Sequence, residues 1–345
     1  MVTTRQQHIK RIRDVFLGRK QERAEIETYL SALDYLRTEG SFYLIIHEIG
    51  GMGKSYLLEY IRQEAIKIHS EGRLTICAYL DFQSPAMYDL ESMLYLIRDG
   101  LLASLREHQV GDEELQRIEG YFAKLDSALL RVARKEPQII RDDKAEDDEM
   151  MLEAFNEAYE KLLEHYNVVL LFDTLEHFER QLHYFKRMEA LTEDDENIVT
   201  ETRQNFNTHV LNLPNTLFVL AGRDREPARQ NKDELDYEWY RISSESTQDD
   251  RLTLPQGRYR QLPLGGLTTA EALELLALRL PHVSDKKLEK VMTPWLDVIR
   301  DLFQTVEDPD DHRLIPIYIE LLAEANKFLP PKVPDNILKM LDTDD

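Results

Sequence analysis

The residues best suited to chemistry lie in three short stretches. The first is Gly50-Gly51-Met52-Gly53-Lys54-Ser55. Glycines let backbone N–H groups turn inward around phosphate oxygens, a lysine ammonium reaches the outer phosphates, and a serine hydroxyl ligates Mg²⁺. A helix opening directly after such a turn adds the partial positive charge of its N-terminus. The stretch therefore reads as a loop holding ATP, with GTP the alternative, together with Mg²⁺. Tyr56 follows immediately and is grouped with the nucleotide-contacting residues. The usual spacing G-x-x-x-x-G-K-[ST] puts its first glycine at position 48, where Glu48 stands. That glutamate places a side chain and a negative charge near the expected γ-phosphate.

The second stretch is Val168-Val169-Leu170-Leu171-Phe172-Asp173-Thr174-Leu175-Glu176. An aspartate ending a buried strand suits a Mg²⁺-associated carboxylate acting through a coordinated water, and Asp173 takes that role. Glu176, three residues on, is the candidate general base or water-orienting group. A strand-end aspartate and a helix-start glutamate also serve as plain caps, so both readings stand. The third stretch ends in Ala221-Gly222-Arg223. A guanidinium at a strand tip binds phosphate oxygens well, which makes Arg223 a γ-phosphate sensor or a surface salt-bridge partner. The scattered histidines His165, His177, His209, His282 and His312 give no defensible metal spacing. Cys77 is the single cysteine and sits in an apolar run, which suggests a core residue in a reducing cytoplasm.

These residues must be positioned by strands and helices in alternation. Apolar runs at 42–46, 74–82, 168–173, 216–221 and, more weakly, 259–264 read as strands. The first four are nearly continuous in β-branched, aromatic and leucine residues, as in strands buried on both faces of a parallel sheet. Helical patterning at 56–70 and 152–165 separates them and predicts a three-layer α/β domain of the P-loop NTPase type. Roughly eighty residues between the second and third runs form a helical insert at about 84–166, with helices near 88–108 and 113–134 and an acidic break at 142–149. The polar stretch 224–257 reads as a long surface loop. From residue 267 the pattern is helical: Thr268 and Glu271 form a capping-like start for 270–280, and further helices fit 286–305 and 316–328. The expected domains are thus 1–266 for the α/β part with its insert, 267–330 for a small helical lid, and a tail at 331–345.

The ordered set Phe16-Leu17-Gly18-Arg19, the glycine loop, the Asp173–Glu176 stretch, Arg223, Leu264-Gly265-Gly266-Leu267-Thr268 and Pro316 resembles the STAND ATPases, signal-transduction relatives of the AAA+ class with an ASCE-type sheet. The likeness spans residues 14–328. It implies that Phe16, Leu17, Gly18 and Arg19 lie over the adenine, that Arg223 senses the γ-phosphate, and that Pro316 of the lid touches the base or ribose side. Glu176 is the hydrolytic candidate by the same resemblance. The lid proline follows Leu314-Ile315, where the family has a Gly-x-Pro pattern.

The chain has 345 residues, 42% apolar and 31% charged, an ordinary balance for a water-soluble globular protein. No apolar run is long enough to span a membrane, and the N-terminus lacks the apolar core of a secretory signal. Acidic residues outnumber Lys and Arg 65 to 43, a net charge of −22 that repels a phosphate backbone and disfavours broad nucleic-acid binding. The resulting expectation is an ATP- or ADP- and Mg²⁺-binding switch that changes conformation and self-associates, with slow hydrolysis. The resemblance implies a role in signalling or defence. The alternatives are an AAA+ type DNA-associated ATPase (an initiator, loader or transposition regulator) and a nucleotide-stabilised scaffold with little turnover.

Overall fold

The computed structural model describes residues 19–34, 40–47, 51–70, 72–84, 87, 89–133, 144–177, 203–223, 228–231, 234–236, 240–243, 252–255, 258–280, 285–302, and also 314, 316, 319, 321 and 322. In chain order the elements are α1 (Lys20–Ser31), β1 (Phe42–His47), α2 (Lys54–Lys67), β2 (His69–Ser70), β3 (Arg73–Asp81), α3 (Leu90–Glu107), α4 (Asp112–Tyr121), α5 (Ala123–Ala133) and α6 (Lys144–Leu163). Then follow β4 (Tyr166–Asp173), β5 (Thr216–Gly222), β6 (Ala228–Asn231), β7 (Glu234–Asp236), β8 (Tyr240–Ser243), β9 (Leu252–Pro255), β10 (Tyr259–Pro263), α7 (Thr269–Arg279) and α8 (Asp285–Leu302). Among the described residues no helix is long and apolar enough to cross a membrane.

The main sheet has the order β10-β1-β5-β4-β3-β2. Its first five strands form a parallel sheet with flanking helices, and β2 pairs antiparallel with the start of β3. This is the P-loop NTPase type of α/β fold expected from the apolar runs. All eight residues of β4 and all seven of β5 are buried, which explains why their central stretches, 168–172 and 217–221, are unbroken apolar runs rather than alternating ones. The registers His47 opposite Gly222 and Asp81 opposite Asp173 bring the polar C-terminal ends of these strands to one end of the sheet.

Two compact units divide the chain: residues 25–47 with 61–262, and residues 1–24 with 48–60 and 263–345. In the first, Tyr43, Ile76, Leu80, Phe172 and Phe218 line one sheet face and join residues of α3 to α6 in a single buried cluster. Helix α3 packs closely on β3 at Gly100, where a Cβ would stand 2.9 Å from the Ala78 Cβ. The hydroxyl of Ser104 accepts the Cys77 N–H at 3.0 Å, so this backbone donor of β3 is satisfied from α3. Cys77 is buried, as expected. The second unit has its own core, in which Leu276, Leu296, Leu314 and Ile319 are fully buried. Leu267 and Leu314 exchange two backbone hydrogen bonds of 2.7 Å.

Three expectations need correction. The stretch 224–257 contains β6 to β9, a separate four-stranded sheet, in place of a structureless loop. Its strands are only three or four residues long and partly polar, so no period marks them. The described part of the acidic run, 144–149, is helical rather than a break, because α6 begins at Lys144; residues 142 and 143 lie outside the described residues. Carboxylates in a first helical turn, here Glu146 and Asp147, are stabilised by the helix dipole. The helix expected over 113–134 is two, α4 and α5, parted at Phe122.

Candidate functional site

β1 ends at His47, and the chain continues through the glycine loop into α2. Gly51 and Gly53 have φ of +85° and +88°, the left-handed region that a residue with a Cβ adopts at a cost. A Cβ placed on Gly53 would meet no atom within 4 Å, so the space beside the loop is open. Lys54 opens the 14-residue α2 and Ser55, next to it, is exposed. Backbone donors at a helix N-terminus, an adjoining ammonium and a hard hydroxyl oxygen fit a polyphosphate with Mg²⁺. Gly50 and Glu48 lie outside the described residues, as do Phe16, Leu17 and Gly18.

Arg19 is described, and it does more than its sequence position suggests. It is 5% exposed with φ +52°. Its guanidinium donates to the backbone oxygen of Met52 in the glycine loop and lies 3.2 Å from Glu22. Its backbone N–H donates to Glu271 Oε1 at 2.9 Å. The other oxygen of Glu271 accepts the Thr268 N–H and hydroxyl, both at 2.9 Å, while the Thr268 hydroxyl accepts the Glu271 N–H at 3.2 Å. This is the capping box expected from the sequence. Burial raises the Glu271 pKa, but the bonds from Thr268 and Arg19 and the Arg19 charge outweigh it, leaving the carboxyl below its ordinary range. In the same unit Arg23 lies over the Tyr60 ring, 4.7 Å from its centre, joining α1 to α2. Pro316 is half-buried in helical conformation.

Asp173, Glu176 and Arg223 belong to the other unit. Asp173 ends β4 and is 3% exposed. The Tyr79 hydroxyl donates to its Oδ2 at 2.7 Å, and the Thr174 N–H donates to Oδ1 at 2.9 Å. The Thr174 hydroxyl donates to Asp81 Oδ1 at 2.6 Å, and Gln83 N–H reaches the same oxygen at 3.0 Å. Glu176, only 1% exposed, accepts the Arg223 N–H at 2.9 Å and faces its Nε at 3.1 Å. The two residues assigned separately to hydrolysis and phosphate sensing are thus partners. Tyr79 and Asp81 were not anticipated, although their sequence carried a signal. They are polar residues at alternate positions interrupting an apolar strand, which places both on one face.

No family model matches the chain, and no curated protein matches it. Among solved structures, a Walker-type ATPase of Pyrococcus abyssi is 10% identical with a TM-score of 0.39, covering 91% of this chain and 70% of its own. The ORC2 protein of Aeropyrum pernix, in its ADP form, is 13% identical with a TM-score of 0.39, covering 93% of this chain and 67% of its own. A Signal Transduction ATPase with Numerous Domains from Pyrococcus horikoshii, bearing a tetratricopeptide repeat sensor, is 13% identical with a TM-score of 0.35. In that pairing 95% of this chain corresponds to 32% of the other. The fold assignment itself rests on this chain's strand order and glycine loop.

Proposed function

We propose that this chain binds ATP or ADP with Mg²⁺ through its glycine loop and works as a slow ATPase whose nucleotide state changes its conformation and self-association. The observation that carries the reading is Arg19. Its side chain holds the Met52 carbonyl of the loop while its backbone holds Glu271 at the start of α7. One buried residue thereby ties the loop to the C-terminal helices, which act as the lid in this reading. Lys54 and the N-terminus of α2 hold the phosphates, and Ser55 and Asp173 supply the oxygen ligands or water-mediated contacts for the metal. Bound Mg²⁺ neutralises phosphate charge and polarises the γ-phosphoryl group. Glu176 orients the attacking water once it is released from Arg223, which then turns to the γ-phosphate. Phe16, Leu17 and Gly18 supply the adenine side and Pro316 the lid contact. A contact made only with the γ-phosphate is what lets ATP and ADP favour different states. Signalling or defence is the cellular role that the sequence resemblance suggests.

The test is mass by light scattering in ADP and in a non-hydrolysable ATP analogue with Mg²⁺, against Lys54→Ala. A rise in mass with the analogue alone, abolished by Lys54→Ala, supports the switch. Equal mass in both nucleotides, with binding confirmed, defeats it. A second reading, a nucleotide-stabilised scaffold with little turnover, draws on the Glu176–Arg223 pair, which occupies the hydrolytic candidate. A single-turnover rate unaltered by Glu176→Gln favours the scaffold.

A further inference from the structure

We propose that β3 supplies two positioning residues for the metal-side carboxylate: Tyr79, acting directly on Asp173, and Asp81, acting through Thr174. The inference rests on the reading of Asp173 as that carboxylate. Strand β3 alternates strictly near its end. Ala78, Leu80 and Phe82 enter the buried cluster, whereas Tyr79 and Asp81 face the other side, each only half-buried. The parallel register sets Asp81 directly opposite Asp173. From there the two oxygens of Asp173 are held by different routes. Tyr79 donates to Oδ2 at 2.7 Å. Thr174 donates its backbone N–H to Oδ1 at 2.9 Å, and its own hydroxyl is fixed on Asp81 at 2.6 Å.

Thr174 is the telling member of this set. Its φ is +58°, a conformation unfavourable for a β-branched residue. The turn keeps that conformation while the Thr174 N–H points at one oxygen of Asp173 and its hydroxyl points at Asp81. Strain of this kind persists where the surroundings over-determine it, and Asp81 is what anchors this residue's side chain. Hydrogen bonds to both oxygens fix the plane of the carboxylate, and a carboxylate of fixed plane presents a set direction to a metal-bound water. Outer partners of ligating carboxylates change metal affinity by about 10–100-fold, and a carboxylate that acts through a metal-bound water calls for no more than the low end of that range.

The experiment measures Mn²⁺, standing in for Mg²⁺, bound to the full chain with ADP, using the free-ion signal in electron paramagnetic resonance. ADP binding in EDTA and the thermal midpoint are recorded for every variant. Tyr79→Phe and Thr174→Val should each weaken Mn²⁺ about tenfold while leaving ADP binding in EDTA unchanged. Thr174→Ser, which keeps the hydroxyl, should restore most of the affinity. Tyr43→Phe removes another buried tyrosine hydroxyl, one that donates to Leu211 O, and should cost stability without touching Mn²⁺. Wild-type Mn²⁺ affinity in both Tyr79→Phe and Thr174→Val, with Asp173→Asn weakened, overturns the inference. Wild-type affinity in Asp173→Asn instead overturns the assignment of Asp173 on which it stands. Should Tyr79→Phe fail to fold, the Thr174→Val and Thr174→Ser pair decides alone.

Discussion

The carboxylate of Glu176 accepts the backbone N–H of Arg223 at 2.9 Å, and the guanidinium Nε of the same arginine stands 3.1 Å from its other oxygen. The partners differ sharply in environment: Glu176 is 1% exposed, while the Arg223 side chain is 47% exposed. A charge so placed is held by the glutamate yet remains within reach of solvent. In the switch proposed above, any γ-phosphate contact from Arg223 competes with this pair.

Glu176→Gln should therefore raise affinity for a non-hydrolysable ATP analogue by about two- to fivefold, matching the ~0.5–1 kcal/mol of a half-exposed ion pair. ADP affinity should stay unchanged. Isothermal titration calorimetry with both nucleotides checks this, and an equal change for both removes Arg223 from γ-phosphate recognition.

Arg223→Ala should cost more folding stability than Glu176→Gln, by ~1–2 kcal/mol in urea unfolding. Removing the arginine leaves a buried carboxylate without its cation, whereas glutamine takes the charge away. Equal losses in the two variants would contradict the buried placement of Glu176.

Arg19→Ala should lower both unfolding stability, by ~2 kcal/mol, and nucleotide affinity, since a charge-assisted bond to the Met52 carbonyl is lost from a site 5% exposed. Arg19→Lys should recover little, because an ammonium cannot reproduce the guanidinium fork toward Met52 and Glu22. Full recovery by lysine would show that charge alone matters there.

The Glu271 carboxyl lies lower in the folded chain than in the unfolded one. Its contribution is accordingly present above the ordinary carboxylate range, near pH ~4.3, and is lost as pH falls through the folded value. Urea unfolding of wild type and Glu271→Gln should converge on acidification through that window and differ most near neutrality. A constant difference at all pH values would mean the carboxylate charge plays no part.

Gly100→Ala should destabilise the chain, although alanine is the better helix former by ~1 kcal/mol. The added methyl would sit 2.9 Å from Ala78 Cβ and 3.2 Å from its Cα, so β3 or α3 must shift, at ~1–3 kcal/mol. Ala78→Gly in the same chain should recover part of the lost thermal midpoint.

The parallel sheet was legible because β4 and β5 are buried on both faces and so spell unbroken apolar runs through their centres, 168–172 and 217–221. The capping box was legible because Thr268 and Glu271 satisfy it locally, within one turn. By contrast, β6 to β9 gain their pairing from one another, and β7 at three residues is too short to show any period. The acidic start of α6 misled because charge density resembles a solvated loop, whereas position relative to the helix dipole decides its effect. The tie between Glu176 and Arg223 joins residues 47 apart and appears only once β4 and β5 are neighbours. Arg19 reaches Glu271 across 252 residues, a separation no local pattern encodes.

The place of β1 in the sheet bears on the order in which the chain is built. β1 lies between β5 and β10, and Phe42 is matched with Leu217. During synthesis at about 5–20 residues per second, β1 therefore leaves the ribosome roughly ten to thirty-five seconds before its first neighbour exists. Meanwhile α3 to α6 can collapse on β3, and β4 can pair with it, from chain already made. The strand that carries the glycine loop is thus an early-made but late-paired edge, its apolar core Leu44, Ile45 and Ile46 a target for chaperones until β5 arrives.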